Sequence, residues 1–210
     1  PLPAPVARLR SALYPRLVPI ANRWYECMDL ATRFPESHEA FLHRCHAAGQ
    51  ERPTPLLLQY GPQDYNCLHQ DLYGEHVFPL QVAILLSEPG EDFTGGEFVL
   101  TEQRPRMQSR PMVLNLKKGD GVIFAVSQRP VKGVRGYYRV TMRHGVSRLH
   151  SGKRHTLGII FHDALCPHEP DHLRSVCRCR ARAAAQARAD RRTILRLARL
   201  CPAVARSVAT

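Results

Sequence analysis

The chain has 210 residues, of which 44% are hydrophobic, and this size suits one domain with a sizeable core. No apolar run is long enough to span a bilayer, which argues against a membrane protein. The formal net charge is +12, but residues 171–210 hold ten Arg and two Asp and so carry +8 of it. The remaining +4 on residues 1–170 is too small to indicate nucleic-acid binding by itself.

Seven cysteines are scattered along the chain, and an odd, scattered set does not indicate a disulfide framework. A reducing compartment fits this cysteine usage, so we expect a cytoplasmic protein. The chain begins at Pro1 instead of Met, which is consistent with a fragment of a longer protein.

Residues 1–55 favour helices. We expect the helix-forming stretches near the start of the chain to be interrupted at Pro15 and Pro19, because proline lacks a backbone donor. A second helix is predicted for HEAFLHRCHAAG, with Ser37 as the N-cap residue and Gly49 after its end. Both helices are expected to bury an apolar face against a sheet.

Residues 56–165 favour strands. Eight stretches are short, mostly apolar and separated by Gly, Pro, Asp or charged residues: PLLLQY, YNCLHQ, FPLQVAILLSE, GEFVLT, MVLNL, DGVIFAV, YYRVTMRHGV and RHTLGIIFHD. Such a series indicates a sandwich, barrel or jelly roll. The predicted fold class is therefore mainly β with N-terminal helices (α+β).

Residues 166–210 form an Ala/Arg-rich tail. The composition suits either a basic helix or a disordered segment. We expect this tail to be dispensable for any activity of the preceding residues.

The stretch YNCLHQDLYG places His69 and Asp71 two residues apart ahead of an apolar run. On a strand both side chains point to the same face. They are either two metal ligands or two unrelated polar residues, and a third ligand decides between these readings.

The stretch YYRVTMRHGVSRLHSGKRHTLGIIF supplies that candidate. It contains two strand-like runs around a turn at Ser151–Gly152, with His144 ending the first run and Arg154 opening the second. In an antiparallel pair the two side chains would lie near each other on one inner face. Two His and one carboxylate form the facial triad of non-haem Fe(II) enzymes that activate O₂.

Arg154 needs an anionic partner if it is buried beyond such a metal. Its planar guanidinium matches a carboxylate in a bidentate manner. The natural partner is 2-oxoglutarate, which would chelate iron through its keto acid and reach Arg154 with its far carboxylate.

Four stretches in order, QYGPQDYNCLHQD, FTGGEFVLTEQ, LKKGDGVIFAV and RHGVSRLHSGKRHTLGIIF, resemble the Fe(II)/2-oxoglutarate-dependent dioxygenases, specifically their prolyl-4-hydroxylase-like branch. The resemblance implies a double-stranded β-helix, which is a jelly-roll, cupin-like core. It implies iron binding by His69, Asp71 and His144, and 2-oxoglutarate binding by Arg154 and Tyr60. It further implies O₂ as oxidant, with ascorbate as a reductant.

The stretches LHQDLYGEHVFPLQ and HTLGIIFHDA show a closer resemblance to a bacterial family of 2-oxoglutarate-Fe(II) oxygenases described as acting on damaged, alkylated DNA. Its members end soon after FHDA, whereas this chain continues past Ala164. They also have residues before PLPAP, which implies an incomplete helical part here. The implied reaction is oxidative demethylation of alkylated nucleic acid.

Two further sets of residues are candidates for binding. Gln81 is polar within an apolar run, so it either faces the pocket and contacts the cosubstrate or satisfies nearby backbone. The loop SQRPVKGVRGYYR combines positive charge with aromatic rings, which suits a nucleic-acid backbone and an unstacked base. Its candidate residues are Arg129, Lys132, Arg135 and Tyr137, and a solvated hairpin is the alternative.

Two other functions stay open at this point. The first is a protein hydroxylase of the prolyl type, favoured by the branch that the sequence resembles. The second is a basic binding module without catalysis that contacts nucleic acid or protein.

Overall fold

A computed structural model describes residues 2–165 of the chain. These residues form a pair of helices followed by eleven strands: α1 (Ala4–Cys27), α2 (His38–Ala47), β1 (Leu56–Tyr60), β2 (Asn66–His69), β3 (Leu80–Leu85), β4 (Phe93–Gly95), β5 (Phe98–Gln103), β6 (Ser109–Leu114), β7 (Gly121–Ala125), β8 (Gln128–Gly133), β9 (Gly136–Val146), β10 (Leu149–Gly152) and β11 (Arg154–Ile159). The prediction of a mainly β fold with N-terminal helices is confirmed. The tail predicted for 166–210 lies outside the described residues.

Two antiparallel sheets contain most of the strands. The first has the order β1-β11-β3-β7, and the second has the order β2-β9-β5-β6, with β8 also paired to β9. A short β4–β10 pair is separate from both. Side chains from both sheets share one apolar cluster, which includes Ala83, Leu85, Phe98, Leu100 and Phe124, so the sheets face each other across a common interior.

Strand β3 lies between two apolar layers, and all six of its residues are buried. Leu80, Val82 and Ile84 face the helices, while Ala83 and Leu85 face the interior between the sheets. Because successive strand residues alternate between faces, a strand covered on both sides is a continuous apolar run. Gln81 interrupts this run on the interior side.

Helix α1 is continuous through Pro15 and Pro19, so the predicted interruptions are wrong. Each proline removes one helical hydrogen bond and leaves a carbonyl four residues earlier without its donor. Pro15, Pro19 and Ser11 are all exposed, so the two freed carbonyls lie on the solvent face of the helix. The opposite face, which includes Tyr14 and Leu17, is buried against the first sheet and holds the helix in place.

Helix α2 follows its sequence pattern. The Ser37 hydroxyl accepts a hydrogen bond from the Ala40 N–H, as predicted for the N-cap. Phe41 and Cys45 are buried, and Gly49 has a φ of 78°, a left-handed conformation that glycine adopts without strain after a helix end.

A buried ion pair joins the helices to the segment that follows the last strand. Arg10 is 3% exposed, and its guanidinium lies 2.8 Å from Asp163 and donates to the Ile160 carbonyl. His46 of α2 contacts the other carboxylate oxygen of Asp163 at 2.9 Å. The helices and the residues after β11 are therefore fixed to each other.

Among residues 2–165, neither helix combines the length and apolar character needed to cross a membrane.

Candidate metal centre

His69, Asp71 and His144 come together between the two sheets. His69 ends β2 and pairs across the strands with His144 on β9, and their rings lie 4.2 Å apart. Asp71 follows two residues after His69, and its carboxylate lies 3.4 Å from His69 Nε2 and 3.3 Å from His144 Nε2. One ligand atom from each residue lies within 4.8 Å of the others, and no other such group of three occurs in residues 2–165.

The surroundings fix both imidazole rings. The Cys67 carbonyl accepts a 2.7 Å hydrogen bond from His69 Nδ1, which directs Nε2 of His69 toward Asp71 and makes it the nitrogen available to a metal. Phe124 contacts the His144 ring with centroids 4.8 Å apart, and Phe98 stacks on it at 6.1 Å. Aromatic packing of this kind restricts the rotamer of His144 and excludes water from its ring.

Asp71 is buried and ionised. Burial raises the pKa of its carboxyl, but hydrogen bonds from His144 and His69 outweigh burial and hold the pKa well below its usual range. Tyr73 donates a further hydrogen bond of 2.6 Å to Oδ1 of Asp71. For His144 the effect of burial is the opposite: it lowers the pKa of the ring and favours the neutral imidazole that a metal requires.

The spacing of these atoms fits a metal. Ligand atoms held about 2.1 Å from a metal at right angles are about 3 Å apart. The carboxylate oxygens of Asp71 lie 3.3 and 3.4 Å from the two Nε2 atoms, close to this separation. Two imidazoles and one carboxylate on one side of a metal, which would leave its other positions open, suit Fe(II).

Arg154 is 1% exposed and has no carboxylate partner among residues 2–165. Its Nη1 donates to the Thr156 hydroxyl, its Nε has no partner, and its guanidinium carbon lies 5.4 Å from the Tyr60 ring centre and 5.9 Å from that of Phe93. Burial lowers its pKa. An arginine so enclosed requires an anion, because an isolated buried charge is costly.

Tyr60 and Gln81 both line this interior. Tyr60 is 1% exposed and lies on β1 directly opposite Arg154 on β11. Gln81 Nε2 lies 3.2 Å from His144 Nε2, and its Oε1 has no partner. Of the two sequence-based alternatives for Gln81, the contact with His144 favours the pocket over the backbone.

His144 and Arg154 do not meet through the predicted strand pairing. β9 pairs with β2, β5 and β8, whereas β11 pairs with β1 and β3 in the other sheet, so the expected antiparallel pair is wrong. The short strand β10 carries the chain from one sheet to the other. Both side chains point into one interior because the sheets face each other: Arg154 contacts Tyr60 and Phe93, and His144 contacts Phe98 and Phe124, which belong to the same apolar cluster.

Two nearby histidines have structural roles. His155 faces away from Arg154 and contacts the Ser87 hydroxyl at 3.2 Å. His162 is fully buried, its Nδ1 accepts a hydrogen bond from the Phe78 N–H, and burial lowers its pKa to about 4. Its neighbour Asp163 pairs with Arg10, so the second His-Asp pair is not a metal site.

The four candidate substrate residues, Arg129, Lys132, Arg135 and Tyr137, do not lie on one face of the sheet. Arg129 pairs with Val140 in the β8–β9 register, on the interior face that also carries His144. Lys132 and Tyr137 are opposite each other on the other face, and Arg135 lies in the turn.

Tyr73 was not found from the sequence. It lies in the loop after β2, where strand alternation gives no orientation. The one sequence feature that could have indicated its contact with Asp71 is its position two residues after that carboxylate.

A family model described as "Oxygenase, catalysing oxidative methylation of damaged DNA", named Oxygenase-NA, matches residues 1–164. The chain belongs to this oxygenase family. Two curated relatives, the uncharacterized proteins MT2286 and Rv2227 from two strains of Mycobacterium tuberculosis, are each 52% identical over 164 residues, which is 78% of this chain and 70% of each relative.

One similar solved structure is described as an oxidoreductase of the 2OG-Fe(II) oxygenase family from Burkholderia pseudomallei. The sequence identity is 18% and the TM-score is 0.37. The match covers 54% of this chain and 48% of that chain, so it spans about half the length of either protein.

Proposed function

We propose that this member of the oxygenase family is an Fe(II)- and 2-oxoglutarate-dependent dioxygenase that demethylates alkylated bases in nucleic acid. The observation that carries the proposal is the joint presence of the His69, Asp71 and His144 group and the enclosed, unpaired guanidinium of Arg154 in one interior. The two facing antiparallel sheets support a double-stranded β-helix as the finer description of the fold.

The residues divide into two functions. His69, Asp71 and His144 would hold Fe(II) from one side and leave its other positions open. Arg154 would bind the far carboxylate of 2-oxoglutarate, with the Tyr60 ring beneath the guanidinium. Bound iron would supply the redox chemistry, in which O₂ and 2-oxoglutarate give succinate, CO₂ and one oxygen atom inserted into a substrate C–H bond.

The nucleic-acid substrate is proposed from the family description and from surface charge. The family is described as acting on damaged DNA. Hydroxylation of an N-methyl group gives a hemiaminal, which releases formaldehyde and leaves the unmodified base. The base has to leave its stack to reach the interior. The exposed hairpin residues Lys132, Arg135 and Tyr137, which lie outside the interior, would contact the backbone and a neighbouring base.

The test measures succinate and formaldehyde after incubation with Fe(II), 2-oxoglutarate, ascorbate and methylated oligonucleotides, single-stranded and duplex. A panel of proline-containing peptides, scored for a gain of one oxygen, runs beside it. We expect succinate and formaldehyde from the unaltered protein, neither from His69→Ala or Asp71→Ala, and normal yields from His43→Ala, which changes an exposed histidine of α2.

Three results would contradict the proposal. Normal turnover by His69→Ala or Asp71→Ala would exclude the metal site. Hydroxylated peptide with no formaldehyde from any oligonucleotide would replace the nucleic-acid substrate with a protein side chain. A protein that binds metal and nucleic acid tightly but never forms succinate would be a binding module.

A further inference from the structure

Three arginines surround one buried carboxylate in the second sheet. Glu102 on β5 is 2% exposed. Arg129 hydrogen-bonds one carboxylate oxygen, while Arg104 and Arg110 lie 3.4 and 3.6 Å from the other. The three arginine side chains are 35%, 44% and 64% exposed in that order, so their guanidinium groups extend from the buried carboxylate to the surface. We call these four residues the arginine cluster.

The arginine cluster carries more positive charge than its own carboxylate neutralises. Burial raises the pKa of Glu102, but the hydrogen bond and charge of Arg129, with Arg104 and Arg110, outweigh burial and keep the pKa below its ordinary value. One ionised Glu against three Arg leaves a charge of +2. Arg129 alone would neutralise Glu102, so Arg104 and Arg110 are not needed for that purpose. Their free N–H groups are oriented and accessible to an anion.

The position of the cluster along β5 relates it to the metal centre. Near the start of this segment, a Cβ added at Gly96 would lie 3.1 Å from Cδ of Arg154. Leu100 lies directly opposite His144, and Glu102 is two residues further on the same face. Two strand residues span about 7 Å. The metal group therefore lies between Arg154 on one side and the arginine cluster on the other.

This order separates the two anionic ligands that the protein would receive. The side of the metal group next to Arg154 is enclosed and suits 2-oxoglutarate. A substrate that reaches the metal approaches from elsewhere, and the arginine cluster is one side-chain layer from His144 and open to solvent.

We propose that Arg104 and Arg110, with Arg129, bind a backbone phosphate of the nucleic-acid strand whose base enters the interior. This inference rests on the proposed function, because it names the contact that holds that substrate. Guanidinium groups bind phosphate oxygens in a bidentate manner, and contacts of this kind fix the position of the strand without reading its sequence. Glu102 is a positioning residue, since its carboxylate holds the three guanidinium groups together.

The experiment measures binding of a fluorescently labelled single-stranded DNA oligonucleotide with one N-methylated base, by anisotropy over a range of salt concentrations. No 2-oxoglutarate is added, so the substrate is not consumed. The variant Arg104→Ala/Arg110→Ala keeps Arg129 to neutralise Glu102. We expect its Kd at low salt to rise at least about tenfold. The slope of log K against log salt should become shallower by about 0.7, which corresponds to the loss of one phosphate contact on a single strand.

The matched control is Arg8→Ala/Arg16→Ala, which removes the same two charges from exposed positions of α1. Its affinity and salt slope are expected to change far less, and the Arg-rich tail is present in every protein compared. Equal losses in both variants, or no loss in the cluster variant, would overturn the inference. If the double variant does not fold, Arg110→Ala, at the most exposed of the three arginines, gives the same comparison against Arg16→Ala.

The two proposals fail separately. Succinate formation by the unaltered protein without nucleic acid tests the proposed dioxygenase and involves no arginine of the cluster. Anisotropy tests the cluster and involves no turnover. A protein that forms succinate but binds DNA equally well with and without Arg104 and Arg110 would retain the proposed enzyme class and lose this phosphate site.

Discussion

The hydroxyl of Tyr73 donates a 2.6 Å hydrogen bond to Oδ1 of Asp71. This contact limits how the carboxylate can rotate, so the other carboxylate oxygen stays directed at His144. Groups that orient metal ligands in this way tune metal affinity. Tyr73 is therefore expected to be a positioning residue for the metal group.

Tyr73→Phe removes only the hydroxyl and keeps the ring. We expect Fe(II), or Mn(II) used as a redox-stable substitute, to bind about 10- to 100-fold more weakly, as measured by titration calorimetry without oxygen. Tyr65→Phe is the control, because Tyr65 is 37% exposed and lies in the loop before β2, away from Asp71. Unchanged metal affinity in Tyr73→Phe would show that the Asp71 carboxylate is oriented without it.

Arg154→Ala should separate cosubstrate binding from metal binding. The guanidinium contacts Tyr60 and Thr156 and touches none of the three metal-binding side chains. We expect the 2-oxoglutarate concentration for half-maximal succinate formation to rise by roughly 100-fold, since loss of one partner of a buried charge pair costs about 2–5 kcal/mol. Metal affinity by calorimetry should stay the same. Arg148→Ala, at an exposed arginine, is the matched control.

Loss of metal in Arg154→Ala with unchanged cosubstrate affinity would reverse this assignment. A modest effect shared with Arg148→Ala would mean that only general positive charge is required.

Local sequence patterns predicted the residues of the candidate site, but not how they are brought together. The spacing of His69 and Asp71 predicted that their side chains would face the same way, and they do, although β2 ends at His69 and Asp71 lies in the loop that follows. His144 and Arg154 are on two different sheets that face each other. Which strands pair, and which sheets face each other, depends on contacts between residues far apart in the chain. The expected pairing of these two runs was therefore wrong, although both side chains point into the interior between the sheets.

Tertiary packing also explains why α1 is continuous although interruptions were predicted at Pro15 and Pro19. A proline in a helix interior costs about 3 kcal/mol, so two of them predicted interruptions. Burial of Tyr14 and Leu17 on the opposite face stabilises the helix by a comparable amount, and the sequence alone does not show which sheet would cover that face. Glu102 was missed for a similar reason: its burial among three arginines follows from the β5–β6 and β8–β9 pairings.

His38 should make the protein less stable in mild acid. Its Nε2 donates to the Phe161 carbonyl, and burial lowers its pKa from 6.5 to about 4. Above pH 6.5 the ring is neutral in both states and this interaction is fully retained. As the pH falls from 6.5 to about 4, the unfolded state binds the proton first, and the free energy of unfolding falls by up to about 1.4 kcal/mol per pH unit.

The measurement is urea unfolding at several pH values between 7 and 4. His38→Gln retains an N–H donor without this titration, so its stability should fall less steeply with pH than that of the unaltered protein. His43→Gln, at an exposed position on the same helix, should keep the original slope. Equal slopes in all three proteins would show that His38 is not protonated on unfolding in this range. The charged groups that act on His38 are Arg10, which lowers its pKa, and Asp163, which raises it.

A chain shortened to end at Leu165 is expected to fold and to form succinate. Its last residues keep their partners: Ala164 exchanges two backbone hydrogen bonds with Arg52, the Leu165 N–H donates to the Tyr73 carbonyl, and Asp163 pairs with Arg10. A second chain, shortened to end at Ile159, is the comparison. It loses Asp163 and the fully buried Phe161.

The loss of Asp163 leaves Arg10 buried without its partner, which costs about 3–5 kcal/mol, and the loss of the Phe161 ring adds a similar amount. That total is comparable to the whole stability of a typical domain. The chain ending at Ile159 should therefore show no cooperative thermal transition by circular dichroism, while the chain ending at Leu165 keeps its transition and its succinate formation. An insoluble or inactive chain ending at Leu165 would mean that residues beyond it support the fold, and would move the boundary proposed at 165 toward the end of the chain.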